Sequence, residues 1–327
     1  MSRVGGRMVI KLMVDMKNIF VCKSFGKMFY GLLFLALSCQ AAYAGKAFIW
    51  QIKSQTSTVY LLGSIHFADQ DFYPLDPVIE KAFAESDQLV LEINPLTVDQ
   101  QQVQGLIRKK GFYHGDETIR EHVDKQVLTM LDSFLEQHNL PVSPDFMKMR
   151  PGMMALTLTA GQLMQLGYQP EYGMDLYFAK MADSRKKPIL ALETVQGQLA
   201  KLFSIRDDNE FLRYTLLELE NLESDLKQII TAWENGDPQH LHRLLIEPYE
   251  NVESFKQFTK KLIDHRNLEM TAKIRKYLKS GQTSLVVVGA AHLVGEKGIL
   301  NLIKNSRYTI VQLENEESSG SEPIETR

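Results

Sequence analysis

Two stretches near opposite ends of the chain each run a β-branched apolar segment into Gly-x-x-His. They are residues 59–66, Val-Tyr-Leu-Leu-Gly-Ser-Ile-His, and residues 286–292, Val-Val-Val-Gly-Ala-Ala-His. A short, continuous apolar run suits a strand buried on both faces, as in a parallel sheet covered by helices. The glycine allows a tight turn or a close backbone approach. The histidine then stands at the C-terminal end of its strand, the edge where open α/β sheets hold ligands.

The repetition goes further than the motif. After His66 a helical segment at 76–86 leads into a strand at 88–94 that carries Glu92. After His292 a helical segment at 298–305 leads into a strand at 308–313, followed by Glu314. The doubled β–GxxH–α–β pattern predicts an α/β fold with a mixed central sheet and large helical insertions between the two units. It also predicts a pseudo-symmetric core whose two histidines face one cleft. The match is not complete, since His66 and Glu92 are 26 residues apart while His292 and Glu314 are 22 apart. Gly-x-x-His alone is a weak signal. Eight histidines at ordinary glycine frequency produce about half an occurrence by chance. Residues 111–114, Gly-Phe-Tyr-His, are such a case, following Arg108 and two lysines rather than a strand.

The remaining segments read as follows. Residues 47–52 and 57–62 form a hairpin around the polar turn at 54–57. Residues 97–168 are mostly helical, with a strong helical period over 123–137 and an apolar stretch at 149–166. Seven of the 14 methionines fall between Met147 and Met181, which predicts core filling ahead of an adaptable binding groove. A helix over 172–184 opens with Asp175, expected as an N-terminal cap that favours the helix dipole. A strand at 188–193 ends in Glu193, in the same strand-end position as the histidines. Residues 196–280 are again helical, turning at 235–238, and place Arg266 and Asn267 on the helix that precedes the second motif.

The first 44 residues differ from the rest. Lys23 and Lys27 precede an apolar run at 28–38, and Ala42-Tyr-Ala44 supplies a small-x-small cleavage site, so residues 1–44 read as a secretory signal peptide. A start at Met16 gives that signal a normal length. Its apolar run is too short to span a bilayer, which needs about 20 residues, so no stable membrane span is expected after cleavage. The folded domain is expected over 45–315, with a disordered acidic tail at 316–327. The product is expected to be periplasmic or secreted. Both cysteines, Cys22 and Cys39, lie in the presequence, leaving no disulfide and no thiolate ligand beyond it. The chain carries a net charge of −3, and residues 1–44 hold six Lys/Arg and one Asp, so the remainder stands at −8. That balance, without a basic block, argues against nucleic acid as a partner.

Two histidines and one or two glutamates at strand ends suit a divalent transition metal such as Mn, Co or Zn. The set would be His66, His292 and Glu92 as ligands, with Glu92 or Glu193 as general base and Arg266 facing a developing oxyanion. A buried imidazole satisfied by its neighbours is the competing reading of each histidine, and on these residues alone both stay open. Histidines 114, 122, 138, 240, 242 and 265 sit in polar context and are expected at the surface. No nucleophile elbow, P-loop or dinucleotide fingerprint is present.

The ordered set of short motifs resembles the TraB/GumN family, which includes the TIKI metalloproteases. The matching residues are 60–66, 73–75 (Tyr-Pro-Leu), 89–92 (Leu-Val-Leu-Glu), 173–175 (Gly-Met-Asp), 188–194 (Pro-Ile-Leu-Ala-Leu-Glu-Thr), Arg266-Asn267 and 288–295 (Val-Gly-Ala-Ala-His-Leu-Val-Gly). Together they span about residues 47–313. The resemblance implies a mixed α/β fold distantly similar to erythromycin-esterase-like and ChaN-like proteins. It implies a site built from His66, Glu92, Glu193, Arg266 and His292. It further implies a metal-dependent hydrolase acting on peptide or protein substrates, or alternatively a metal- or haem-binding protein of the ChaN-like type. Arg150-Pro-Gly152 departs from the family, whose members usually carry an aromatic residue after that proline.

Overall fold

The computed structural model describes residues 45–204, 208–250, 256, 259–304 and 307–315. The presequence and the acidic tail read from the sequence lie outside these residues. Six strands form one mixed sheet: β1 (Lys46–Lys53), β2 (Thr58–Ser64), β3 (Gln88–Leu91), β4 (Ile189–Ala191), β5 (Thr283–Gly289) and β6 (Thr309–Glu314), in the order β4-β3-β5-β2-β1-β6. The hairpin β1–β2 is antiparallel, β1 is also antiparallel to β6, and β2, β5, β3 and β4 pair in parallel. The α/β expectation is therefore met, and both repeated units lie in the one sheet.

The parallel strands in the middle run hydrophobic through their centres because both faces are covered. Leu61, Leu62, Leu89, Val90, Leu91, Val286, Val287 and Val288 are all fully buried. Helices α1 (Pro77–Glu85), α2 (Gln100–Lys110), α3 (Lys125–Gln137), α4 (Pro151–Gln165), α5 (Met174–Ser184), α6 (Val195–Leu202), α7 (Asp208–Glu234), α8 (Pro238–Leu245), α9 (His265–Tyr277) and α10 (Ile299–Ile303) supply that cover and the insertions between units. Several begin where the sequence offers a cap. Asp76 accepts from the Val78 amide ahead of Pro77, and Asp124 accepts from the Val127 amide. Trp233 of α7 anchors the long insertion to the sheet, donating its indole N–H to the Gly63 carbonyl at 2.7 Å. Five of the seven clustered methionines, Met147, Met149, Met153, Met154 and Met174, are buried. Core filling accounts for most of that cluster.

The two units interleave instead of standing side by side. The first crosses from β2 over β5 to β3, and the second leaves β5 in the other direction, past β2 and β1, to β6. The antiparallel strand β1 occupies the position that a symmetric second unit would fill. Glu92 and its sequence counterpart therefore part company. Glu92 follows β3 beside the motif strand β5, whereas Glu314 is exposed on the edge strand opposite Lys46.

What the interleaving does bring together is the pair of motif strands. β2 and β5 are in-register parallel neighbours, with Gly63 opposite Val288 and Ser64 opposite Gly289. Their C-terminal ends, and the two histidines that follow, thus lie side by side at one edge of the sheet.

Candidate functional site

The site forms around Gly289, where β5 stops and a single 3₁₀ turn, Ala290–His292, begins. A Cβ built on Gly289 would stand 3.2 Å from His66 Nε2, 3.4 Å from Glu92 Oε1 and 3.6 Å from His292 Cδ2. The missing side chain keeps open a space that all three groups border. Gly63 acts differently. Its own Cβ would stand 2.5 Å from the Phe48 ring, so there the glycine serves core packing under the turn.

Each histidine is held by its Nδ1. His66 Nδ1 lies 2.7 Å from Asp175 Oδ2. His292 Nδ1 lies 2.6 Å from Asn267 Oδ1, and the Asn267 amide donates to the Lys297 carbonyl at 2.9 Å. That second bond orients the amide, so its oxygen faces His292 and the proton of the neutral ring resides on Nδ1. The Nε2 lone pair is left pointing away from the amide. Burial keeps His292 neutral, holding its pKa down to about 4. His66 is the more open of the two, and the Asp175 carboxylate beside it raises its pKa to about 9. A cation taken up by His66 Nε2 must therefore displace a proton. Asp175 was expected as a helix cap. It sits in the first turn of α5 without capping it, and its side chain orients His66 instead.

Behind the histidines lies a buried ionic cluster. Arg266 of α9 donates to both carboxylates, Nη2 to Glu92 Oε2 and Nε to Glu193 Oε2 at 2.8 Å, while Nη1 donates to the Leu262 carbonyl at 3.2 Å. All three side chains are about a tenth exposed or less. Gln198 of α6 ties the carboxylates together, its amide lying 2.9 Å from Glu92 Oε2 and 3.0 Å from Glu193 Oε2. Lys201 donates to Glu193 Oε1 at 3.2 Å. Burial opposes ionisation of Glu92, but the neighbouring histidines, Arg266 and the Gly289 amide outweigh it and bring its pKa to about 2. Burial opposes ionisation of Glu193 too, and hydrogen bonds from Arg266, Gln198 and Lys201 hold its pKa below the ordinary value. The guanidinium directs its donors at these carboxylates and one carbonyl, and in this arrangement it holds the acids in place.

The five residues singled out from the sequence, His66, Glu92, Glu193, Arg266 and His292, thus form one contiguous cluster. The donor chemistry fits a divalent transition metal in part. His66 presents Nε2 to the space over Gly289 and His292 presents Cδ2, with its Nε2 near Glu92 Oε1, and each ring has Nδ1 fixed by a carboxylate or an amide, the arrangement that orients metal-binding histidines. Among the described residues, however, no three His, Cys, Asp or Glu side chains converge closely enough to hold an ion as they stand. Glu92 Oε1, 3.7 Å from His292 Nε2, accepts the Gly289 N–H at 2.7 Å and would have to release it to serve as a third ligand.

Sequence reasoning passed over Gln198 and Lys201. Both face inward from α6, one and two turns beyond the Thr194 cap. Only their position just after the Glu193 strand end marked them. The other histidines are exposed or half-buried at the periphery. His242 lies against Gly295, close to the second motif, with Nε2 3.4 Å from Glu250 Oε1.

A family model described as the TraB/PrgY/gumN family matches residues 48–312. Among curated proteins, the uncharacterized protein YbaP of Escherichia coli (strain K12) is 26% identical over 280 residues, covering 84% of this chain and 99% of that protein. Its Shigella flexneri counterpart matches equally, at 26% over 280 residues. The metalloprotease TIKI2 of Xenopus tropicalis is 22% identical over 318 residues, covering 81% of this chain and 59% of that protein.

Proposed function

The chain belongs to the TraB/PrgY/gumN family, and on that premise we infer that it is a metal-dependent hydrolase, acting on peptides or proteins outside the cytoplasm. The observation that carries the reading is the space over Gly289, bordered by His66, His292 and Glu92 Oε1. The similarity to a metalloprotease supports it. The location rests on the presequence at residues 1–44.

In this reading His66, His292 and Glu92 would hold the ion. Bound there, Mn, Co or Zn would acidify a water and polarise a substrate carbonyl. Asp175 and Asn267 hold both imidazoles by Nδ1, which would leave Nε2 of each for the ion. Arg266 and Gln198 hold Glu92 at the edge of the space and keep Glu193 ionised behind it. His66 is the exposed member of the set, so a substrate would enter from its side.

The test begins with metal analysis of purified protein and a peptide-library cleavage assay. Histidine-to-alanine changes at 66 and 292 should each abolish metal binding and hydrolysis with the fold retained. Glu92→Gln should lower the rate by ~10²–10⁴ if its carboxylate accepts the proton. Loss of the metal as well assigns Glu92 as a ligand and leaves Glu193 as the base. Both oxygens of Glu92 are engaged and its basicity is low, which suits a ligand or a carrier better than a general base. Metal or haem binding without cleavage of any peptide would replace the hydrolase with a ChaN-like binding protein.

A further inference from the structure

Ser64 carries a buried polar atom that takes no part in the cluster around Gly289. The residue is 3% exposed, and its Oγ has no hydrogen-bond partner among the described residues. Native proteins leave few buried hydroxyls unsatisfied, because stripping one of water without replacement is unfavourable.

Its place in the sheet tells where that hydroxyl points. Ser64 is the last residue of β2 and stands opposite Gly289 in the parallel register. Side chains of paired residues leave a sheet on the same face, and neighbours along a strand leave on opposite faces. Gly63, one position earlier, faces the core, where its Cβ would meet Phe48. Ser64 therefore faces the other way, on the side where the Cβ of Gly289 would point. His66 Nε2 and Glu92 Oε1 lie on that side, 3.2 and 3.4 Å from that Cβ position.

We propose that Ser64 is a positioning residue of this site, its hydroxyl holding a water molecule in the space over Gly289 together with Glu92 Oε1 and His66 Nε2. A hydroxyl both donates and accepts. It accepts from a water that donates to Glu92, or donates to a water oxygen that another group has turned away. Holding a water breaks no covalent bond and needs no metal. The link to catalysis, with that water as the one that attacks, rests on the hydrolase reading.

Two measurements on metal-free protein test the placement. A crystal structure fine enough to show waters should place a water oxygen within about 3.2 Å of Ser64 Oγ and also of Glu92 Oε1 or His66 Nε2. A Ser64 hydroxyl bonded to a protein carbonyl, with no such water, overturns the proposal. Ser64→Ala should melt below the wild-type protein and lose the water. A higher melting temperature means that the hydroxyl faced nothing, and the proposal fails. Where peptide hydrolysis is found, Ser64→Ala should reduce kcat by about 10²-fold with KM little changed, and Ser64→Thr should recover the rate. Covalent labelling of Ser64 by a fluorophosphonate would make it a nucleophile and refute the positioning role. An ordered water at Ser64 in a protein that binds no metal and cleaves nothing would sustain this proposal while removing the hydrolase.

Discussion

Replacing Arg266 with methionine leaves two buried carboxylates without their shared cation. The side chains of Glu92 and Glu193 are 8% and 6% exposed, and both now pair with the same guanidinium, Glu92 through Nη2 and Glu193 through Nε. Without it at least one of them must take a proton to stay buried. Forcing a carboxyl with an unfolded-state pKa of about 4.3 to be neutral costs about 1.4 kcal/mol per pH unit above that value. The penalty is then about 5 kcal/mol at pH 8 and about 1 kcal/mol at pH 5. For the wild type the sign runs the other way. Glu92, depressed to about 2, contributes stability that is fully present above the unfolded pKa and is lost only as pH falls toward 2. It is ionised at both test conditions, so the wild type does not change on this account. In the variant the folded pKa of that carboxyl is raised, and stability falls as pH rises. Denaturant unfolding of Arg266→Met and wild type at pH 8 and pH 5 should show a difference that shrinks by about 4 kcal/mol toward low pH. In melting temperature, at about 2 °C per kcal/mol for a domain of this size, the gap closes from about 10 °C to about 2 °C. Equal destabilisation at both pH values would mean that Arg266 acts through packing, and the electrostatic account would be wrong.

Three further outcomes follow from the same geometry. Asn267→Ala removes the partner that fixes the His292 tautomer and should weaken Co²⁺ binding by about 10–100-fold, as read from a visible-absorption titration. Asp175→Asn removes the main cause of the raised His66 pKa, so the NMR titration midpoint of that imidazole should drop from about 9 toward about 6.5; an unmoved midpoint removes Asp175 as the cause. Gly289→Ala puts a methyl 3.2 Å from His66 Nε2 and 3.4 Å from Glu92 Oε1. The open His66 ring can swing aside, so the melting temperature should change little while Co²⁺ binding is lost, and retained binding would show that the space over Gly289 is not where an ion sits.

Some of this was written in the chain itself. The apolar runs of β2 and β5 report burial on both faces through composition alone, because a strand covered by helices has no solvent side to mark with polar residues. Helix starts at Asp76-Pro77 and Asp124 are local chemistry and were equally legible. The ordered motifs picked out His66, Glu92, Glu193, Arg266 and His292, which the fold gathers into one cluster. The sequence did not hold the register that sets Ser64 beside Gly289, since parallel pairing joins residues 225 positions apart and depends on the whole sheet closing around them. For the same reason the repeat misled at its ends. Glu92 and Glu314 occupy matching places in the pattern, but β1 displaces β6 to the far edge, and only one of them reaches the site. Asp175 read as a cap because a carboxylate in a first helical turn is locally favourable. That it meets His66, 109 residues away, is settled by how α5 docks on the sheet, as is the grip of Gln198 on two carboxylates. Local propensity acts over a few residues, whereas the orientation of an imidazole or the pairing of a buried charge is decided by whichever distant group the packed core brings within hydrogen-bond reach.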